Sequence, residues 1–501
     1  MVPRRAAVAS LLVAVLLAGC GLDPGVRVTE SRPGTGGGLF TQDGSDSGPE
    51  ISEPAYQLAE GVVDFGERGP AHPEYDAFLT TAFQDIESFW ATAFPDTYDS
   101  PWEPLEGGIF AAYPGRESAI PGCGSPTSSY EDVQVGTAFY CIDGDFMAYD
   151  DDDGLPALVD ELGKEAVAIV LAHEFGHAIQ SRAGEWDQPG VLKEQQADCF
   201  AGAWAAHVAA GESGAIRFDD ADVRAGLIAM IEVRDPIDGQ GLADEMAHGT
   251  GFDRVSAFKD GFEGGTARCA TFFTEGRERT LIDIPFDPTD TNAGNLPVID
   301  PAPDPTTGPN DVITLIPASL DFYWSLLTAQ NQVTFTAPAF AAFRSDGPYP
   351  SCGGLEGDQW VGQVHYCPED DVVHWDQDFA VALLDQAFTG DMTIGYLFAS
   401  AYSDAVLHAL GSVTTGEQRV LYADCLTGSW VQSIVPPIPA DRENQLGLSA
   451  GDLDEAVVVA IATADEHADT DVNGSPFEKI GAFRTGVLDG IDRCNARYGS
   501  G

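Results

Sequence analysis

LAHEFGHAIQ, residues 171–180, decides the reading of this chain. The stretch ends the longer run GKEAVAIVLAHEFGHAIQSRAG, in which Ala, Val, Ile and Leu recur at helical spacing and Gly184 offers a stop. His173 and His177 are four residues apart, so on a helix they sit about 40° apart on one face, one turn displaced. Two ring nitrogens can then reach one metal ion. Glu174 lies about 100° round from His173, within reach of a water on that ion but poorly placed to ligate.

A catalytic metal needs a third protein ligand and an open position. The next apolar run, VLKEQQADCFAGAWAAHVAAG, supplies Glu194 and Asp198, again four apart on one face. Glu194 is the candidate third ligand. Asp198 then accepts the proton on the far nitrogen of a ligand histidine and fixes its tautomer. Cys199 is five residues on from Glu194 and points elsewhere, which suits a disulfide. His248, in AHGTG, could stabilise an oxyanion or protonate a leaving amine, or could simply be a turn residue. YDDDDG, residues 149–154, could hold calcium. A solvated loop leading into a helix is the plainer reading.

The rest of the chain can be laid on itself. YCIDGDFMAYD (140–150) matches YCPEDDVVHWD (366–376), and ADCFAGAW (197–204) matches ADCLTGSW (423–430). HGTGFDRVSAFKDGFEGGTARC, ending at Cys269, matches NGSPFEKIGAFRTGVLDGIDRC, ending at Cys494. The offsets are 226, 226 and 225 residues. Four cysteines recur in the same order, which favours the pairs Cys123–Cys141 and Cys199–Cys269, repeated as Cys352–Cys367 and Cys425–Cys494. Some of these could instead remain thiols in the core. The repeat places Ser400 at His173, Ala401 at Glu174, Asp404 at His177 and Val420 at Glu194. Asp424 still stands opposite Asp198, and Asn473 stands opposite His248. The scaffold positions persist while the chemical ones vanish together, so the second half reads as a degenerate copy without metal ligands.

HEFGH, a short gap, EQQADCFAGAW and then HGT, preceded by a C…YC…D segment, together resemble the bacterial neutral zinc metallopeptidases, within the broader Glu-ligated zincins. The resemblance spans about residues 80 to 275. It implies an α+β, mostly helical, zincin-like fold with a small sheet before the metal helix, here duplicated in tandem, and a strand over Tyr140–Asp150. It implies that His173, His177 and Glu194 bind zinc and that Glu174 is the base. One departure is CIDGD, where the family has a Cys-Pro start.

The chain has 501 residues, 44% hydrophobic and 21% charged, which is globular composition. Its 24 Lys and Arg stand against 80 Asp and Glu, a formal charge of -56. That argues against nucleic acid as a partner, because phosphate binding needs a basic face, and against adhesion to anionic lipid by charge. MVPRRAAVASLLVAVLLAGCG opens with Arg4 and Arg5, an apolar stretch too short to span a bilayer, and Leu17-Ala18-Gly19-Cys20. This looks like a bacterial lipobox, implying cleavage before Cys20 and lipid on its sulfur. The expected order is a signal peptide over 1–19, a Gly/Ser/Pro-rich tether over 20–55, a metallopeptidase-like domain over 56–286, a Pro/Asp-rich linker over 287–310 and the degenerate domain over 311–501.

The expected function is a lipid-anchored peptidase at the outer face of the cytoplasmic membrane. It would hydrolyse peptide bonds of a peptide or protein substrate through a zinc-bound water. The membrane would be met through the N-terminal lipid alone, with an envelope protein as a possible partner. The alternative is a non-catalytic envelope lipoprotein binding a protein or cell-wall ligand. The intact Glu174 favours catalysis, because a structural zinc has no need of it. A metal-scavenging lipoprotein fits the acidity but not a single site.

Overall fold

The computed structural model describes residues 62–499, apart from 135–136, 235–247, 275, 285, 287–293, 306–307, 353, 385–388, 437–445 and 466–471. The expected signal peptide, Cys20 and the tether over 20–55 lie outside the described residues.

The first half begins with β1 (Val63–Asp64) and the long helix α1 (Pro73–Tyr98). Proline at the first helical position costs no hydrogen bond there. Leu79, Phe83, Ile86, Trp90 and Phe94 form its buried stripe. Asp85, buried on the same helix, accepts a hydrogen bond from the Trp204 indole at 2.9 Å. Next come β2 (Gly108–Ala112), β3 (Ala138–Cys141) and β4 (Phe146–Asp150). The sheet order is β1-β2-β4-β3, with β2 parallel to β4 and β3 antiparallel to it.

The expected single strand over Tyr140–Asp150 is therefore a hairpin. Ile142, Asp143, Gly144 and Asp145 make the turn, and Asp145 takes a positive φ of 48°. Turn chemistry breaks the single strand that the family resemblance implies. The YDDDDG segment also departs from a solvated loop. Asp150 and Asp151 are buried, whereas Asp152 and Asp153 are exposed. The Asp150 carboxylate accepts from the backbone N–H groups of Asp152, Asp153 and Gly154, satisfying the start of α2 (Gly154–Leu162). Asp151 accepts from the Tyr75 hydroxyl at 2.7 Å and pairs with Arg68.

α3 (Lys164–Ala183) is the central helix, bounded by Gly163 and by Gly184 in the left-handed conformation. Its residues from Ala166 to Ala172 are all buried, which is why no polar face shows in its sequence. α4 (Gly190–Ala209), α5 (Asp220–Glu232) and α6 (Gly251–Cys269) complete the half. α5 starts on a reciprocal cap between Asp219 and Asp222. α4 and α6 cross with their backbones nearly touching: a Cβ on Gly202 would lie 2.0 Å from the Phe258 carbonyl oxygen, and one on Gly261 1.8 Å from that of Cys199. The Cys199–Cys269 disulfide closes the same pair. Closing a loop of that length contributes about 4 kcal/mol in the chain-entropy account.

From α1 onward the second half presents the named elements in the same order, with no counterpart of β1 among the described residues: α7 (Val312–Gln330), β5 (Ala339–Phe343), β6 (Val364–Cys367), β7 (Val372–Asp376), α8 (Gln377–Leu384), α9 (Asp391–Ala409), α10 (Gly416–Gln432), α11 (Asp452–Ala462) and α12 (Pro476–Tyr498). Here β5 runs parallel to β7 and β6 antiparallel to it, as β2 and β3 do to β4. The crossing of α10 and α12 repeats the close approach, with Gly428 against the Phe483 carbonyl and Gly486 against that of Cys425. The remaining disulfides are Cys123–Cys141, Cys352–Cys367 and Cys425–Cys494. Four disulfides point to an extracytoplasmic protein.

The two halves share one hydrophobic core. Phe252 meets Phe483, and Phe258 and Phe262 meet Phe477. The buried Arg224 guanidinium donates to the carbonyls of Ile461, Ala464 and Asp465. Within the expected linker, Asn295 Oδ1 accepts from the Asp391 N–H at 3.0 Å, the Leu296 N–H donates to the Asp391 carboxylate at 2.8 Å, and Val298 is buried.

Candidate metal centre

The middle of α3 and the first turns of α4 bring three ligand-type side chains together. His173 Nε2, His177 Nε2 and Glu194 Oε2 lie within 4.8 Å of one another. Glu194 Oε2 is 3.1 Å from His173 Nε2 and 3.4 Å from His177 Nε2. The two rings meet edge to face at 5.1 Å. Gly176 lets this happen, because a Cβ there would stand 2.9 Å from the Cα of Ala197 on α4.

Both imidazoles are oriented from behind. His173 Nδ1 donates to Asp198 Oδ1 at 2.6 Å, and His177 Nδ1 donates to Gln180 Oε1 at 3.0 Å. Gln180 is itself held, donating to the Lys193 carbonyl at 2.6 Å. Arg254 of α6 grips both oxygens of Asp198, at 3.0 and 2.8 Å. Asp198 and Arg254 are fully enclosed, so each would be costly without the other. Both Nε2 atoms are thereby left to face Glu194.

Sequence reasoning missed Arg254 and Gln180. Gln180 is three residues beyond His177 and so shares its face, a signal that was available. Lys479 stands opposite Arg254 at the repeat offset of 225, a basic residue at the same position in both halves.

The electrostatics follow from this packing. Burial opposes a charged His173, but the Asp198 and Glu194 carboxylates outweigh it and push its pKa up to about 10. Burial likewise opposes a charged His177, and Glu194 raises it. Burial favours a neutral Glu194, yet the two histidines hold its pKa well below the usual carboxylate range.

Two imidazole nitrogens and one carboxylate oxygen are a donor set that fits zinc, with a fourth position left over. Glu174 Oε1 stands 4.0 Å from His173 Nε2, beside the triad rather than in it. His248 lies at the rim, its side chain 44% exposed and its Nε2 3.9 Å from Glu194 Oε2. Trp186 packs edge-on against the His177 ring at 6.3 Å, with the Lys193 ammonium 4.5 Å from the indole centroid.

The corresponding place in the second half is built differently. Asp404 pairs with Arg419 of α10, whose guanidinium also donates to the Asp404 carbonyl. Asp424 accepts from Lys479 Nζ at 2.6 Å, as Asp198 does from Arg254. Ser400, Ala401 and Val420 offer no ligand of the first-half kind.

A family model described as "Putative neutral zinc metallopeptidase" matches residues 66–272. The uncharacterized protein YpfJ of Escherichia coli K12 is 28% identical over 233 residues, covering 40% of this chain and 73% of YpfJ. The uncharacterized protein Rv2575 of Mycobacterium tuberculosis H37Rv is 30% identical over 203 residues, covering 35% of this chain and 68% of Rv2575. Mb2605 of Mycobacterium bovis, also uncharacterized, matches to the same extent. No solved structure matches the chain.

Proposed function

The chain belongs, through residues 66–272, to the neutral zinc metallopeptidase family, and from that premise we propose that it is a zinc-dependent peptidase acting outside the cytoplasm. One observation carries the reading: His173, His177 and Glu194 converge with Glu174 intact beside them. His173, His177 and Glu194 would hold the zinc. When bound, zinc supplies Lewis acidity to the attacking water and the scissile carbonyl. Glu174 takes the proton from that water and passes it to the leaving nitrogen. Asp198 keeps the His173 proton on Nδ1, so that Nε2 presents a lone pair, and Gln180 does the same for His177. His248, at the rim, donates to the oxygen on which charge develops. Fluorescein-labelled casein with the full chain tests this. Wild type should cleave it and Glu174→Gln should keep zinc and lose cleavage. Turnover retained in Glu174→Gln would remove Glu174 as the base.

The domain over 311–501 is read as a degenerate copy of the domain over 56–286, arisen by tandem duplication. The common element order, sheet directions, disulfides and glycine crossings support this. The sequence around Cys20 supports lipid attachment to the envelope. Metabolic labelling with a fatty acid analogue should mark the wild type and leave Cys20→Ala unmarked.

A further inference from the structure

The segment that carries His248 ends where the second half touches it. α6 begins at Gly251, and the first N–H groups of a helix have no partner within it. The Thr250 hydroxyl accepts from the Asp253 N–H at 3.1 Å. The neighbouring Phe252 N–H is satisfied from the other half: it donates to Asp454 Oδ1 at 2.8 Å. Asp454 lies in the first turn of α11 and is buried. Its other oxygen, Oδ2, is 2.7 Å from Arg234 Nε, just beyond the end of α5. One carboxylate of the second half thus ties together the two points between which the chain runs from α5 to α6.

The fit is close. A Cβ on Gly251 would stand 3.1 Å from Asp454 Cγ, tighter than ordinary contact, so the glycine makes room for the carboxylate. The same turn is held from α12. Arg484 lies with its guanidinium 5.2 Å from the Phe252 ring centroid and its Nη1 3.7 Å from Asp253 Oδ1. Both reach the α6 turn from the second half.

That turn sets two groups of the metal centre. Four residues before Phe252 is His248, whose Nε2 is 3.9 Å from Glu194. Two residues after it is Arg254, which grips Asp198, which holds His173. A shift of the first turn of α6 moves both.

We propose that Asp454 is a positioning residue for the first-half site, and that the second half serves the chemistry by clasping the first turn of α6 through it. The proposal rests on the reading of that site as a zinc peptidase centre. Asp454 touches no substrate. It acts by placing His248 and by anchoring the Arg254–Asp198–His173 chain. Residues that orient a metal site from outside typically change affinity or turnover by about 10–100-fold, and Asp454, one step further out, should sit at the low end.

The test is a double-mutant cycle in the full chain, with labelled casein for turnover and a chromophoric chelator for zinc affinity. Asp454→Ala should lower kcat about tenfold with KM nearly unchanged, and weaken zinc binding several-fold. In a His248→Ala background the same substitution should lower kcat by clearly less than in the wild type, because one of the two groups it positions is gone, while the several-fold loss of zinc affinity through Arg254 and Asp198 persists. Hydrogen exchange of peptides covering 248–256 should quicken, while those covering 166–172 of α3 hold. If Asp454→Ala does not fold, Asp454→Asn serves: it keeps an acceptor for the Phe252 N–H but loses the charge pair with Arg234, and its losses should be smaller but in the same pattern. Equal losses of kcat in both backgrounds, or unchanged exchange over 248–256, would overturn the proposal and leave Asp454 a packing contact. A wild type that takes up no zinc and cleaves nothing would instead remove the peptidase reading. The exchange measurement, which needs no metal, still decides whether Asp454 holds the α6 turn.

Discussion

In the first half, His173, His177 and Glu194 face one another around a place for a cation; at the equivalent place in the second half, Asp404 faces Arg419. Behind each stands a buried carboxylate gripped by a basic residue of the last helix, Asp198 by Arg254 and Asp424 by Lys479. The difference teaches what this architecture requires. Negative charge inside a helical layer must meet positive charge or be lost. At the matching place in the second half Asp404 meets the Arg419 guanidinium instead, and lies about a third exposed. The crossing glycines and the disulfides are indifferent to that choice, because they hold backbones and touch no ligand.

The sharpest way to break the comparison is chemical. Glu174→Gln removes a proton acceptor present only in the first half, and hydrolysis should fall by about 10²–10⁴-fold with zinc retained. The matching position, Ala401, has no proton to accept or give, so Ala401→Ser should leave turnover unchanged in the same casein assay.

Stability comes next. Arg254→Ala leaves Asp198 enclosed and unpaired, and should cost about 3–5 kcal/mol by urea unfolding. Lys479→Ala should cost the same in the second half, because Asp424 is equally buried. Arg419→Ala should cost under about 1 kcal/mol, because Asp404 is about a third exposed and water can replace the guanidinium. A large loss from Arg419→Ala would mean that the second-half pair is a structural keystone rather than a filled vacancy.

A smaller effect separates the helix starts. α3 begins with Lys164, whereas α9 begins with Asp391, whose carboxylate clusters with those of Asp452 and Glu455, all three buried. Burial, then repulsion from Asp391, raises Asp452 well above the ordinary carboxylate range; burial, then repulsion from Asp452 and Asp391, does so for Glu455. The folded state therefore binds protons more tightly than the unfolded chain. Stability from this cluster is fully present below the ordinary carboxylate range and is lost as pH rises through the raised values. The Tm should be higher near about pH 5 than near about pH 8, and Asp452→Asn should flatten that slope. A slope unchanged in Asp452→Asn would place its source elsewhere.

Much of the site was legible because helical spacing is local. Four-residue intervals put His173 with His177 and Glu194 with Asp198 before any tertiary contact was known. Laying the two halves on each other set Ser400, Ala401, Asp404 and Val420 opposite the candidate site residues, and it paired the cysteines by order. What escaped is non-local or depends on a turn. Arg254 reaches Asp198 from 56 residues away, which helical spacing does not announce; the basic Lys479 at the matching position is the signal the sequence held. Asp454 meets Phe252 across 202 residues. The family resemblance implies one strand over Tyr140–Asp150, but a resemblance carries no turn, and the Ile142–Asp145 turn makes the segment a hairpin. Asp150 and Asp151 were read as solvated because runs of aspartate usually are; here a helix start and Tyr75 use them.

The central claim is one zinc per chain, in the first half. Elemental analysis of the full chain by mass spectrometry, beside Glu194→Ala and Val420→Ala, tests it most directly. The account predicts about one zinc in the wild type, none in Glu194→Ala and one still in Val420→Ala. No zinc in the wild type after refolding with the metal, or zinc that persists in Glu194→Ala, would contradict it.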